Sequence, residues 1–407
     1  MVVNHINKAG RPSFISWRCS PLPDTTGNTM KKRFSNGRRS FCAASLTAVA
    51  LVCMTCARAE DAPNATASPS MFALSGFGTL GMTHSSLDSA DFTSTAFEPN
   101  GAGHSRAYDF ADDTKLGVQL IGRFTDKLSA VVQVVSQHRY DNTFVPQIEW
   151  ANLKYAFTPD FSVRIGRIEL PTFLNSDYRN VGYANPWVRV PAEVYNTVPI
   201  TNSDGADLSY RFRLGEVVNT VRVLYGYSAF HANPGMIRTT GTGIVGAFDT
   251  IEYRDFTVHV GYLHANVKLA VLDPKLPANV YSMAVGYDPG PWFVQAELAR
   301  VTVDQVTPGY VSGYVTGGYR INKFTPFVTY SEAHALDHAT IVPNYNMGQK
   351  DISAGVRWDF MKNMDLKVQF DHVWLPANST GSFTNLQPNF QLGSGTNVFS
   401  AVLDFVF

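Results

Sequence analysis

The chain has 407 residues, 45% hydrophobic, 16% charged and 13% aromatic, with 33 basic and 33 acidic side chains. The charges are unevenly placed. Residues 1–59 carry nine basic side chains against one acid, Asp24, leaving 24 basic and 32 acidic groups in the remaining 348 residues, a net charge near −8. An acidic body with no basic stripe in the sequence excludes nucleic acid as a partner. All four cysteines (Cys19, Cys42, Cys53, Cys56) also fall in the first stretch, which excludes a thiolate zinc site, a disulfide scaffold and a cysteine nucleophile from the rest.

Met30-Lys31-Lys32-Arg33 opens a basic segment ending at Arg38 and Arg39, and an apolar run from Phe41 to Cys56 leads to the small-x-small triplet Ala57-Arg58-Ala59. This pattern predicts a secretory signal peptide cleaved after Ala59. The apolar run is shorter than the roughly 20 residues a spanning helix needs. Residues 1–29 read as an upstream mis-start or a long leader, so both Met1 and Met30 remain candidate starts. Residues 60–70, rich in Ala, Pro, Ser and Thr, are expected to form a flexible periplasmic tail.

From residue 71 onward the apolar residues recur with period two. In Leu208-Ser209-Tyr210-Arg211-Phe212-Arg213-Leu214 the even positions are apolar and the odd ones polar, and Val221–Tyr225, Ile352–Phe360 and Leu366–Asp371 repeat the pattern. Such alternation marks strands with two different faces. It predicts sixteen of them, near 72–84, 113–123, 127–138, 148–158, 161–167, 206–214, 217–228, 244–253, 256–266, 279–288, 291–301, 308–320, 323–332, 350–361, 364–375 and 394–407. Tilted strands of about 9–11 residues cross the hydrocarbon layer. The connections alternate between tight turns and longer polar segments, so all turns lie at one end of the sheet and all loops at the other. The predicted fold is all-β: a transmembrane antiparallel up-and-down β-barrel of about 16 strands, with short periplasmic turns, long extracellular loops, an apolar outside and a wet inside. Aromatics near strand ends, including Trp150, Tyr155, Phe157, Tyr225, Trp292 and Trp358, suit the two headgroup girdles.

Strand parity puts Arg164 on the inside, since residues 161, 163 and 165 are apolar, and likewise Lys115, Gln119, Arg123, Asn152, Lys154, Arg211, Arg213 and Arg222. Charged rings at close quarters set ion selectivity. The longest connection, about 168–205, contains four prolines, the aromatics Tyr178, Tyr183, Trp187 and Tyr195, and the charges Glu169, Asp177, Arg179, Arg189, Glu193 and Asp204. Long loops with their own packing residues are functional or compact. This one is expected to fold into the barrel as a constriction, with Glu169, Asp177 and Glu193 facing Lys154, Arg164, Arg211 and Arg222 across a transverse field. Catalysis has little support: His84, His138, His334 and His338 supply residue types without a recognised arrangement. His334 and His338 are expected in a loop, and Asp112 and Asp113 on a solvated acidic loop. No metal or cofactor is expected.

The opening Leu74-Ser75-Gly76-Phe77-Gly78-Thr79-Leu80-Gly81, the sixteen-strand layout and the last strand Ala401-Val402-Leu403-Asp404-Phe405-Val406-Phe407 resemble the Gram-negative general porins. The resemblance covers residues 71–407 and implies an outer-membrane location, a homotrimer, a third loop folded into the pore, and a terminal signal, here Leu403, Phe405 and Phe407, read by the barrel-assembly machinery. Outer-membrane lipid and lipopolysaccharide would surround such a barrel. The acidic Pro-Glu-Phe-Gly-Gly-Asp signature of the enterobacterial third loop is absent. Three functions follow: a passive diffusion channel for small hydrophilic solutes and ions; a substrate-selective channel for sugars, phosphate or carboxylates; or an enzyme or adhesin built on a barrel.

Overall fold

The computed structural model describes residues 70–232, 237–270, 275–303, 308–336 and 346–407. The expected leader, signal peptide and most of the tail lie outside the described residues, as does His338. Sixteen strands form one closed antiparallel barrel. They are β1 (Phe72–Ser85), β2 (Lys115–Arg123), β3 (Leu128–Gln137), β4 (Gln147–Ala156), β5 (Phe161–Glu169), β6 (Asn202–Leu214), β7 (Val217–Ala232) and β8 (Ile237–Tyr253). The second half comprises β9 (Phe256–Leu269), β10 (Leu276–Tyr287), β11 (Trp292–Val303), β12 (Tyr310–Tyr319), β13 (Phe324–Ala335), β14 (Gln349–Met361), β15 (Met364–Trp374) and β16 (Gly395–Val406). Each strand pairs with its chain neighbours, and β1 pairs with β16 from Phe77↔Val406 to Ser85↔Val398. Closure leaves no edge with unpaired backbone groups, a requirement in lipid.

Turn chemistry explains the tight end. Two residues suffice between β6 and β7 because Gly215 takes φ +62°, and Asn363 does the same at φ +63° between β14 and β15; glycine and asparagine are the residues that tolerate this region best. At the loop end the strands overrun their expected limits. β8 begins at Ile237 rather than 244, pairing Arg238 with His231 and Gly241 with Ser228 before a bulge at Gly241/Ile244. Its Thr- and Gly-rich extension has no apolar face, so period-two reading missed it. His334 likewise lies in β13, opposite Val311, rather than in a loop.

The outer face carries the exposed apolar residues, among them Leu74, Leu120, Ile165, Leu208, Met283, Leu298, Val328 and Phe370. Aromatic rings touch in a belt at the turn end: Phe157–Phe161–Tyr210–Phe212, Phe256–Tyr287–Trp292 and Phe324–Trp358–Phe360. Trp150 does not join a girdle. It stands opposite Gln133, on the same inward face as Asn152 and Lys154, and the Gln133 amide bonds the lumenal Gln119 at 2.9 Å. At the barrel seam Phe407 donates its N–H to the Gly76 carbonyl (3.0 Å) and accepts from the Gly76 N–H (2.8 Å). The rings of Phe407 and Phe405 occupy the space a Cβ would take at Gly76 and Gly78, so glycine there admits the terminal aromatics flat against the outer wall.

Candidate functional site: a loop packed inside the barrel

The third long connection is shorter than its sequence limits, because β5 runs through Glu169 and β6 resumes at Asn202. Residues 170–201 enter the barrel and bond to side chains on its inward face. His259 Nε2 donates to the Pro171 carbonyl (3.1 Å) and Ser282 Oγ to that of Thr172 (2.6 Å). The Leu174 N–H reaches Glu297 Oε1 at 2.9 Å. Farther round, Arg357 donates to the carbonyls of Tyr183 (2.6 Å) and Asn185 (3.2 Å), and Lys367 to that of Gly182 (2.6 Å). A loop buried in a barrel has few backbone ladders of its own, so wall side chains supply the partners that its carbonyls and N–H groups need.

Packing fixes the loop as firmly as these bonds. Ile168, Leu170, Phe173, Trp187, Val194, Tyr195 and Val198 form one core with the inward-facing Leu224, Ile244, Phe248, Leu263, Val280, Val301, Tyr314 and Phe327. The indole N–H of Trp187 is shared between Thr316 Oγ1 (3.1 Å) and Thr329 Oγ1 (3.0 Å). Here the expectation of a uniformly wet interior fails: from β7 to β13 much of the inward face is apolar and carries the loop. Of the inward cations on the remaining wall, Arg123 and Arg213 are exposed, and Lys154, Arg211 and Arg222 are half-buried.

The charged residues sort into three groups. Arg164 is buried, with Nε on Asp207 Oδ1 at 2.9 Å and a terminal nitrogen on both Glu169 oxygens at 2.9 and 2.7 Å. Arg222 shares Glu169 at 2.7 Å. Glu169 therefore ends a strand inside an ion-pair quartet and is not a loop residue. Removing one member of such a buried pair strands the other charge, the costly case. Lys154 lies directly opposite Arg164 in register, and Arg123 stands one strand further across Ser129. Arg222, Arg211 and Arg213 descend toward the turn end, opposite or beside Ser209, Thr220 and Val218.

Arg189 is the second centre. It grips Asp113 through two nitrogens (3.0 and 2.6 Å), reaches Asp371 at 3.3 Å and lies 5.0 Å above the Phe92 ring. Asp112 and Asp113, expected on a solvated loop, are both buried. Burial and the neighbouring Asp113 push the Asp112 carboxyl up to about 7, and burial with Asp112 raises Glu98 well above its usual range. Burial works the same way on Asp113, but the Arg189 guanidinium outweighs it and holds that carboxyl below its usual value. The third centre is Glu193, on the single helical turn Ala192–Tyr195. It was expected to face the arginines, but it points into the β13–β14 wall and accepts from Ser331 Oγ (2.7 Å) and Gln349 Nε2 (2.5 Å). Burial raises it.

Of the remaining loop charges, Asp177 is half-buried with no ion pair among the described residues, and Arg179 sits 5.3 Å above the Tyr195 ring. Sequence reasoning missed Arg357, Lys367, Gln369 and Asp404, the wall residues that hold the loop. Their signal was present as the polar positions of alternating strands. Among the described residues no three His, Cys, Asp or Glu side chains are close enough to hold a metal.

No protein-family model matches the chain, and no curated protein matches it in sequence. Solved structures do match in shape. The outer membrane channel DcaP of Acinetobacter baumannii superposes with a TM-score of 0.56 at 12% identity, over 84% of this chain and 99% of that one. The anion-selective porin from Comamonas acidovorans gives 0.55 at 12% identity, covering 83% and 99%. Salmonella typhi OmpF gives 0.54 at 14% identity, covering 83% and 97%. The chain thus has the sixteen-stranded barrel fold of these outer-membrane proteins.

Proposed function

We propose that the protein is a passive channel in the outer membrane of a Gram-negative bacterium, passing small hydrophilic solutes and ions, with residues 170–201 narrowing the lumen. The division of the inward face carries this reading. Sixteen strands enclose a space wide enough for an aqueous channel. One sector is filled by the loop, while the sector from β2 to β7 keeps exposed polar and basic side chains. The pore-narrowing set is Asp177 and Arg179 on the loop and Lys154, Arg211 and Arg222 on the wall. Glu169 and Arg164 brace the wall, while Arg189 and Glu193 anchor the loop. The barrel-assembly machinery reads Leu403, Phe405 and Phe407, and the subunit works as a homotrimer. No catalytic step is assigned to it.

Proteoliposomes swelling in sugars of increasing size test this directly. Swelling with a sharp size limit is expected, and replacing residues 187–196 with a Gly-Ser linker raises that limit. A folded protein that passes no sugar and no ion overturns the reading. Arg211 and Arg213, which have no ion pair among the described residues, support a second reading, a channel that favours phosphate- or carboxylate-bearing solutes.

A further inference from the structure

The first long loop, residues 86–114, sends an arm across the mouth of the barrel. Asp91–Phe92 pairs with Ala102–Gly103 as the base of a hairpin, and this base is fixed over β15 and β16. Phe92 packs with the inward-facing Val373 and Val398 and with Phe383 of the last loop, and Asp91 exchanges two backbone hydrogen bonds with Thr384, each 2.9 Å. The arm, residues 93–101, ends on β7. There the Phe97 ring meets Phe230 edge-on, 6.1 Å between centroids, and Phe230 has the inward parity of Leu224 and Ser228. In a ring of sixteen strands β7 is nearly opposite β16, so the arm bridges the opening. The second long loop, residues 138–146, closes against it: Tyr140 stacks on His231 of β7 at 4.0 Å, and the Asn100 amide donates to Asn142 Oδ1 at 2.7 Å. That loop joins β3 to β4 and reaches β7 over the ends of β5 and β6. Arm and second loop therefore roof one sector, the wall from β2 to β7 that carries the inward cations.

The contacts that hold this roof are ring pairs and an amide pair, with no carboxylate among them. Phe97, Pro99 and Asn100 on the arm are half-buried, and Tyr140 and Asn142 are exposed. Glu98, the acid at the arm tip, is buried and turned back, accepting from the Thr95 N–H (3.2 Å) and the Ser94 hydroxyl (3.3 Å). Arg139 and Asp141, flanking Tyr140, are opposite in sign. Near charges dominate the field in a narrow space, so an opening edged in this way sorts solutes by bulk, while the wall below it sorts them by sign. We infer that the arm tip, the second loop and the end of β7 form a second constriction at the loop-end mouth, in series with residues 170–201, where Phe97 and Asn100 set the largest solute that enters from that side. The inference rests on the channel reading and divides its labour: size at the mouth, ionic preference at Arg211 and Arg213.

The test is single-channel recording with polyethylene glycols of graded size added to one side of the bilayer at a time. A polymer that enters the lumen lowers the conductance, and an excluded one does not. In the wild type the size cut-off is expected to be smaller from the loop side than from the turn side. Phe97→Ala with Asn100→Ala raises the loop-side cut-off and leaves both the turn-side cut-off and the reversal potential in a KCl gradient unchanged. Combined with the Gly-Ser linker at 187–196, it raises the limiting sugar beyond that of the linker alone. The roof itself is read separately. No cysteine lies beyond Cys56, so Asn100→Cys with Asn142→Cys is expected to be joined in the folded barrel by a short bifunctional thiol reagent, whether or not the barrel conducts. Equal cut-offs from the two sides, an arm variant with the wild-type loop-side cut-off, or a folded cysteine pair that does not crosslink overturns the inference. Crosslinking in a barrel that passes no current refutes the channel reading, and the filter with it.

Discussion

At the seam between β1 and β16, two glycines and two phenylalanines solve one problem: the last residue of the chain must close the barrel while its ring faces lipid. Gly76 has no side chain to obstruct the Phe407 ring, and the two backbones exchange hydrogen bonds. Phe407→Ser should destabilise the closed barrel by about 1–2 kcal/mol, the transfer value of a partly covered aromatic, and lower the inserted protein more than it lowers synthesis. Membrane fractionation against total protein checks this, and equal insertion removes the role. Asp112 makes a pH prediction. Its carboxyl is pushed up to about 7 by burial, so the folded protein keeps a proton that the unfolded chain releases near its ordinary value of 3.8. Folded stability from this group is full near pH 4 and is lost as pH rises to about 7. Glu98 and Asp113 share the site and Arg189 faces it, and Asn at position 112 keeps the Ser94 contact without the penalty. Asp112→Asn should therefore be more stable than wild type at pH 8 by on the order of a few kcal/mol, read as a higher melting temperature, and the difference should vanish near pH 4.

Among the elements, the strands were the more legible. Their alternation survives because lipid and lumen make opposite demands on successive residues. The same parity placed Lys154, Arg164, Arg211 and Arg222 inside, as found. It failed where both faces are polar, as in the first residues of β8, whereas the girdle expected of Trp150 ran against the parity that Trp150 shares with Asn152 and Lys154. The third loop was legible only as a compact segment. Its prolines and aromatics foretold packing, but Glu193 takes its direction from Ser331 and Gln349, 138 and 156 residues away, and no local pattern encodes that. Since Glu193 is already held toward its neutral form, Glu193→Gln should change stability by less than about 1 kcal/mol. Trp187→Ala removes a buried ring and the donor to two hydroxyls, and should destabilise by about 3–5 kcal/mol while raising conductance. Thermal unfolding beside bilayer recording checks both; a large loss in Glu193→Gln would show that its charge anchors the loop.

Over the whole molecule, acids and bases separate. The carboxylates near Arg189 are buried behind the loop and Arg222 is paired with Glu169, whereas Arg211 and Arg213 line the inward wall with no ion pair among the described residues. The transverse field expected from the loop is correspondingly weak, because Glu193 is turned away and Glu169 is neutralised within its quartet. Near charges dominate in a narrow low-dielectric space, so the channel should favour anions despite its acidic total. A KCl gradient should give a reversal potential on the chloride side of zero, moved toward potassium by Arg211→Glu with Arg213→Glu.

The central claim is an aqueous path past a loop that fills only part of the barrel, and single-channel conductance of the purified protein in a planar bilayer tests it most directly. Discrete steps that scale with KCl concentration and grow when residues 187–196 become a Gly-Ser linker are the predicted result. Folded protein that inserts yet gives no steps, with the linker variant equally silent, would contradict it.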